Sequence, residues 1–243
     1  MSREDGPLRK TALGALVSLG LLLGLAGLYF REPPAPPSSI EFTSAYQNEK
    51  LLKRAWALPV ARLYGPQGYL FQSNPSVCGP TSIADILRSE GRPADPSSVM
   101  NGSGIWQIVG VLFGGLTLDQ EAQILERDSG KPVKKLRDLS LDEFRAEMAK
   151  SNDPSRRIIL NFTRMPLFGR GHGHFSPILG YLADEDLVFV GERQRQLSPV
   201  AGSHEPTLRR GEYARFIQSC EEMGRRAQFN GSGGWSRDAQ RRN

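Results

Sequence analysis

The stretch Gln72-Ser73-Asn74-Pro75-Ser76-Val77-Cys78-Gly79-Pro80-Thr81-Ser82-Ile83-Ala84-Asp85-Ile86-Leu87 carries the strongest local structural signal in the 243-residue chain. Pro80 suits a first helical turn, the apolar residues after it share one helical face, and Gly91 follows the pattern. The sequence therefore predicts a helix over residues 80–90, just after Cys78. A cysteine at the start of a helix lies at the positive end of the peptide dipoles, which favours its nucleophilic thiolate. On this feature alone, a buried structural cysteine is the alternative.

The rest of the chain shows helical signals first and strand signals later. Apolar periodicity and Ser/Thr capping boxes predict helices over residues 51–58, 118–127, 141–150 and 211–223. Short apolar runs predict strands over residues 157–162, 176–181 and 187–190. Helices in the first half and an antiparallel sheet in the second predict an α+β domain over residues 41–223.

Composition excludes several classes of protein. Thirty-one Lys and Arg face 26 Asp and Glu, and much of the excess lies in a basic tail, residues 224–243, that is predicted to be disordered. No nucleic-acid motif accompanies it, so no nucleic-acid partner is expected. The two cysteines, Cys78 and Cys220, are too few for a disulfide scaffold. Cys220 is predicted to be a buried thiol, with a disulfide to Cys78 as the alternative.

The sequence of the N-terminus predicts the cellular compartment of the domain. Residues 11–30 are uncharged and rich in Leu, Ala and Gly, and basic residues precede them in the cytoplasmic segment 1–10. This pattern favours a signal anchor that spans a membrane as a helix, with the domain outside the cytoplasm, on the periplasmic side in a Gram-negative cell. A proline-rich spacer, residues 31–40, would follow. The alternative is a cleaved signal peptide and a secreted protein.

A candidate base lies far along the chain from Cys78. His172 and His174 stand in a glycine-rich loop that leads into a predicted strand. A thiol early on a helix and a histidine later on a strand is the order of papain-type nucleophilic pairs. The two histidines could instead bind a metal with Cys78, but a structural zinc site normally has four ligands. We therefore expect no metal and no cofactor.

Four short motifs in the same order resemble the catalytic domain of the phytochelatin synthase family, especially its short bacterial forms. The motifs are Gln72-Ser73-x-x-x-x-Cys78-Gly79, Gly115-Leu116-Thr117-Leu118-Asp119, Asn161-Phe162-x-Arg164 and Gly173-His174-x-Ser176-Pro177. Each motif is weak alone, but their order and separations match those of the family.

The resemblance implies a papain-like cysteine peptidase fold and a glutathione gamma-glutamylcysteinyltransferase-like enzyme. In that reading Cys78 attacks the Cys-Gly amide of glutathione, or of a related γ-glutamyl thiol peptide, and expels glycine. His174 would be the general base, and Gln72 would donate a hydrogen bond to the oxyanion. Arg164 would pair with a substrate carboxylate, with a structural salt bridge as the alternative. Asn161 is taken as a second substrate-binding residue, or a strand-end hydrogen-bonding residue. Hydrolysis is expected over phytochelatin synthesis.

One position departs from the family pattern. The family places an aspartate after the strand that follows the histidine, and this chain has Gly191 there. Glu192 is the neighbouring carboxylate and is predicted to replace the aspartate if the backbone bulges. Without a replacement, the chain could be a weakened enzyme or a catalytically degenerate binding domain. A cysteine peptidase of the same fold is the other alternative.

The segment between the first two motifs is long and apolar. Trp106 and Phe113, in residues 105–116, are predicted to lie in the core rather than to form a ligand platform.

Overall fold

The computed structural model describes residues 7–29, 34–46, 48–65, 69–70, 72–191 and 216–219, which fall in two compact units, Met1–Pro34 and Ala35–Asn243. The first unit contains α1 (Pro7–Tyr29). Within the described ranges, no helix combines the length and the apolar character needed to cross a membrane. The structure therefore does not support the predicted transmembrane anchor over residues 11–30, nor a membrane partner bound through it. The location of the domain outside the cytoplasm stays a prediction.

In the second unit most helices come before the strands. The helices are α2 (Glu49–Trp56), α3 (Pro59–Tyr64), α4 (Cys78–Ser89), α5 (Pro96–Met100), α6 (Leu118–Ser129), α7 (Leu141–Lys150) and α8 (Arg164–Phe168). The predicted capping boxes are present: Thr117 and Gln120 cap α6, and Ser140 and Glu143 cap α7. α4 begins two residues before the predicted start, so Cys78 is its first residue.

The second half forms an antiparallel sheet, which confirms the α+β prediction. Its strands are β1 (Ile158–Thr163), β2 (Gly173–Leu182), β3 (Leu187–Val190) and β4 (Phe216–Ser219), in the order β1-β2-β3-β4. β2 begins three residues before its predicted start and so includes His174. The helix predicted over residues 211–223 is wrong where the structure describes it, because residues 216–219 pair with β3. Every residue of β3 is buried, and this pairing covers what would otherwise be an open sheet edge.

The functional region lies where α4 packs on β2. The Ser82 hydroxyl of α4 donates a hydrogen bond of 3.0 Å to the Phe175 carbonyl of β2, in a buried position. Cys78 and Phe175 belong to one apolar cluster with Leu112 and Leu116, from the loop before α6. This cluster fixes the first turn of α4 against the start of β2.

The prediction for Trp106 and Phe113 is wrong. Their side chains are 72% and 69% exposed, and the two rings stack on each other with centroids 6.1 Å apart. The segment turns back on itself through two backbone hydrogen bonds between Ile108 and Val111. Leu112 reaches the core beside Cys78, and the aromatic rings are left outside it.

Candidate active site

Cys78 lies at the N-terminal end of α4, a position suited to a nucleophilic thiol. It is the first residue of α4, a free thiol, and only 6% exposed. The next residue, Gly79, has no room for a side chain: a Cβ there would lie 2.9 Å from Leu116 and 3.1 Å from the Glu121 carboxylate. The Cys-Gly pair therefore lets α6 and its preceding loop pack closely beneath the thiol.

His174 lies on β2, the strand that packs against α4. It is the second residue of β2 and is 5% exposed, with the Phe162 ring edge-on to its imidazole at 5.5 Å between centroids. Burial, and secondarily the positive charge of Arg164, lower the pKa of His174 to about 3. The imidazole is therefore neutral at physiological pH and available as a base.

The predicted thiol, base and oxyanion donor share one small cavity. It is lined by Tyr69, Leu70, Gln72, Cys78, Thr81, Ser82, Asp85, His174, Phe175, Ser176 and Gly191. Its volume of about 20 Å³ is enough for about one water molecule. The structure thus brings together Cys78, His174 and Gln72, which are far apart in the sequence.

The resting thiol is uncharged. Burial raises the pKa of Cys78 to about 11, and the backbone N–H groups of Phe175 and Gly79 oppose that shift. This outcome differs from the expectation that the helix dipole would favour a thiolate, because desolvation outweighs the dipole at this depth. The thiol and the imidazole are both neutral, so the thiol needs a base at the moment of attack.

Among the described residues, no carboxylate takes the place of the missing aspartate beside His174. Glu192 lies outside the described residues, and the charged group that acts on the His174 imidazole within them is Arg164, not a carboxylate. Gly191 does line the cavity. Its carbonyl accepts a hydrogen bond of 2.5 Å from the Tyr69 hydroxyl, and a Cβ at Gly191 would lie 2.2 Å from that hydroxyl oxygen. Tyr69 thus fills the space that a side chain at position 191 would need.

The two predicted substrate-binding residues lie outside the cavity lining. Asn161 is half-buried on β1, opposite Phe175. Arg164 is buried at the start of α8, with its guanidinium 4.9 Å from the centre of the Phe168 ring. Their roles in substrate binding stay predictions.

Two residues of the site were missed in the sequence. No sequence motif or periodicity marks Tyr69 as a residue of the site. Asp85 stands seven residues after Cys78, two helical turns along the same face, and an acidic residue there is a signal that could have been used. Its carboxylate accepts a hydrogen bond of 2.7 Å from the Leu70 backbone N–H, which ties the segment containing Tyr69 to α4.

The alternatives that involve metal or disulfide chemistry find no further support in the described part of the chain. His172 is exposed, and no group of three or more His, Cys, Asp or Glu side chains in that part could hold a metal ion. Cys220 lies outside the described residues.

Comparison with known proteins gives a consistent result. A family model of phytochelatin synthase matches residues 30–196. The chain is 27% identical over 194 residues to glutathione gamma-glutamylcysteinyltransferase 3 of Lotus japonicus, covering 72% of this chain and 38% of that protein. It is 28% identical over 190 residues to glutathione gamma-glutamylcysteinyltransferase 2 of Arabidopsis thaliana, covering 69% and 39%. The enzyme of that name from Schizosaccharomyces pombe is 25% identical over 136 residues, covering 51% and 32%. The chain spans less than two fifths of the length of these relatives.

Proposed function

The chain belongs to the phytochelatin synthase family, and on that premise we propose that it cleaves glycine from glutathione through a thioester on Cys78. The names of the curated relatives support the substrate. The observation that carries the proposal is the cavity in which Cys78, His174 and Gln72 meet. We also propose that the fold is papain-like, because the thiol begins a helix and the base lies on a strand of the sheet packed against it.

The first half of the proposed reaction forms the thioester. The neutral imidazole of His174 takes the Cys78 proton as the sulfur attacks the carbonyl carbon of the Cys-Gly amide. The Gln72 side-chain amide donates to the oxyanion, a contribution of ~10² to 10³ in rate in comparable sites. As the C–N bond breaks, the imidazolium returns the proton to the glycine nitrogen, and γ-glutamylcysteine stays on the sulfur.

The second half releases the acyl group. His174 takes a proton from the attacking nucleophile, the new bond forms at the thioester carbonyl, and the Cys78 sulfur leaves and is reprotonated. A water as nucleophile gives γ-glutamylcysteine, and a thiol peptide as acceptor would give a longer peptide. We propose that water is the usual acceptor, and the ratio of γ-glutamylcysteine to longer peptides among the products measures how the two outcomes are divided.

Mass spectrometry of the chain incubated with glutathione tests this function. We expect glycine release and a mass increase on Cys78 equal to a γ-glutamylcysteinyl group. Cys78→Ser should abolish both, whereas Cys220→Ser should leave glycine release within about threefold, since Cys78 is the cysteine that shares the cavity with His174. Equal losses in the two variants would contradict the assignment of the nucleophile.

A binding domain without activity is the second candidate. The raised pKa of the Cys78 thiol and the lack of a described carboxylate on His174 favour it. Saturable glutathione binding, with neither glycine release nor a Cys78 adduct over hours, would establish this candidate and refute the enzyme.

A further inference from the structure

Gln72 lies on irregular backbone, although its proposed task needs a fixed position. It lines the cavity together with Cys78, but it comes before the short 3₁₀ turn Pro75–Val77 that leads into α4. Each residue between Gln72 and Cys78 adds two rotatable backbone dihedrals. An oxyanion donor has to be held to within ~0.5 Å, because a misplacement of ~1 Å can cost ~10² in rate. The residues between Gln72 and Cys78 therefore decide whether the amide reaches its place.

The Asn74 side chain caps this turn. Its Oδ1 accepts hydrogen bonds from the Ser76 backbone N–H at 3.0 Å and from the Ser76 hydroxyl at 2.6 Å. The backbone of Asn74 is extended, with φ −154° and ψ 164°, and the turn begins at the next residue. Asn74 is thus the residue at which the chain changes direction between Gln72 and Cys78, and its cap holds that change of direction in place.

The capped turn is also tied to the loop before α6. The Asn74 side-chain N–H donates to the Gly110 carbonyl at 3.3 Å, and the Leu112 backbone N–H donates to the Ser76 hydroxyl at 3.0 Å. Leu112 is buried in the apolar cluster that contains Cys78. These bonds therefore fix the turn to the same packed structure that surrounds the thiol.

We propose that Asn74 is a positioning residue of this site: by capping the turn before Cys78, it holds the Gln72 amide where the oxyanion forms. The inference rests on the proposed function in taking Cys78 as the nucleophile and Gln72 as the oxyanion donor. Asn74 itself lies outside the described lining of the cavity, so it acts through Gln72 and not on the substrate.

A second cap in the chain provides a matched control. The sequence Asp95-Pro96-Ser97 repeats the pattern of Asn74-Pro75-Ser76. The Asp95 carboxylate caps α5 and accepts hydrogen bonds from the Ser97 backbone N–H at 2.9 Å and the Ser97 hydroxyl at 2.5 Å. Asp95 also lies outside the described cavity lining. Asp95→Ala therefore removes the same kind of cap at a place that does not lead to the oxyanion donor.

Binding of the aldehyde γ-glutamyl-alaninal tests the oxyanion site without turnover. The Cys78 sulfur adds to the aldehyde carbon and the thiol proton goes to the carbonyl oxygen, which gives a hemithioacetal with its oxygen at the oxyanion position. Titration followed by carbon-13 NMR of the labelled aldehyde carbon gives the affinity. We expect Asn74→Ala to weaken binding about 10- to 100-fold, and to lower kcat for glycine release by a similar factor with KM within about twofold. Asp95→Ala should stay within about threefold in both measurements, because it is remote from Gln72. Thermal unfolding midpoints confirm that both variants are folded.

Two further variants test the route through Gln72. If Asn74 acts through that amide, Asn74→Ala should cause no further loss of aldehyde binding in a Gln72→Ala background. Asn74→Asp keeps an acceptor for both Ser76 bonds, so it should bind the aldehyde within about fivefold of the unaltered chain. Multiplicative losses in the double variant, no rescue by aspartate, or equal losses in Asn74→Ala and Asp95→Ala would each overturn the proposal.

The same measurements separate this inference from the proposed function. Aldehyde binding that depends on Asn74, with no glycine release from glutathione, would refute the proposed function and support the role of Asn74. Glycine release and aldehyde binding that are both unchanged in Asn74→Ala would refute the role of Asn74 and leave the function in place. An unaltered chain that neither binds the aldehyde nor releases glycine would refute both.

Discussion

His172 and His174 are two residues apart, yet their surroundings assign them different expected effects. His174 is buried in the cavity with Cys78, whereas the His172 side chain is exposed and its carbonyl accepts the Arg164 N–H. We expect His174→Gln to lower glycine release by ~10² to 10⁴, the usual contribution of a general base, and His172→Gln to stay within about threefold. Steady-state assays, with thermal unfolding midpoints to confirm that both variants are folded, provide the measurement. The reverse order of effects would mean that the base is wrongly assigned.

At the scale of elements, the packing of α6 against α4 buries a glutamate side chain. Glu121, on α6, is buried, and neither carboxylate oxygen has a hydrogen-bond partner among the described residues. Burial raises its pKa well above the usual value. Glu121 is therefore protonated in the folded chain over a range of pH in which it is ionised in the unfolded chain.

This difference makes stability fall as pH rises. Above the unfolded pKa of about 4.5, unfolding releases a proton, so the folded state loses about 1.4 kcal/mol per pH unit until its own raised pKa is reached. Glu121→Gln removes the ionisation and should raise the free energy of unfolding at pH 7, with a gain that shrinks toward pH 4. Denaturant unfolding at pH 4, 5.5 and 7 measures it, with exposed Glu126→Gln on the same helix as the control. A gain independent of pH would show that Glu121 is not the titrating group.

Elements with strong local signals were predicted well, and those that depend on distant partners were not. Capping boxes and apolar periodicity located α6 and α7, and the run after Cys78 located α4 to within two residues. Residues 216–219 become a strand because β3 pairs with them, and no local pattern encodes that partner. The same limit applies to the site. The motifs predicted roles for Cys78, His174 and Gln72, and the structure places all three around one cavity. Tyr69 enters that cavity only through the close approach of its ring to Gly191.

At the scale of the whole molecule, the sheet predicts how much of the C-terminus the fold needs. A chain that ends after residue 215 lacks β4 and leaves the buried strand β3 at an open edge. Each lost backbone hydrogen bond costs about 1 kcal/mol, so we expect a lower denaturation midpoint and aggregation on heating. A chain that ends after residue 223 keeps β4 and loses only the predicted basic tail.

Comparing the two truncated chains tests the sheet and the tail together. Equal midpoints for the chain ending after residue 215 and the full chain would show that β4 contributes nothing to stability. A large loss in the chain ending after residue 223 would contradict the prediction that residues 224–243 are a disordered tail.

The contact between Tyr69 and Gly191 also has a consequence for the evolution of this chain. A Cβ at position 191 would lie 2.2 Å from the tyrosine oxygen, closer than two unbonded atoms can approach, so position 191 cannot gain a side chain while Tyr69 is kept. A lineage that gains a side chain at position 191 must first, or at once, lose the hydroxyl at position 69. Among related chains, tyrosine at position 69 should therefore occur only together with glycine at position 191, and aligned sequences should contain no chain with tyrosine at the first position and a side chain at the second.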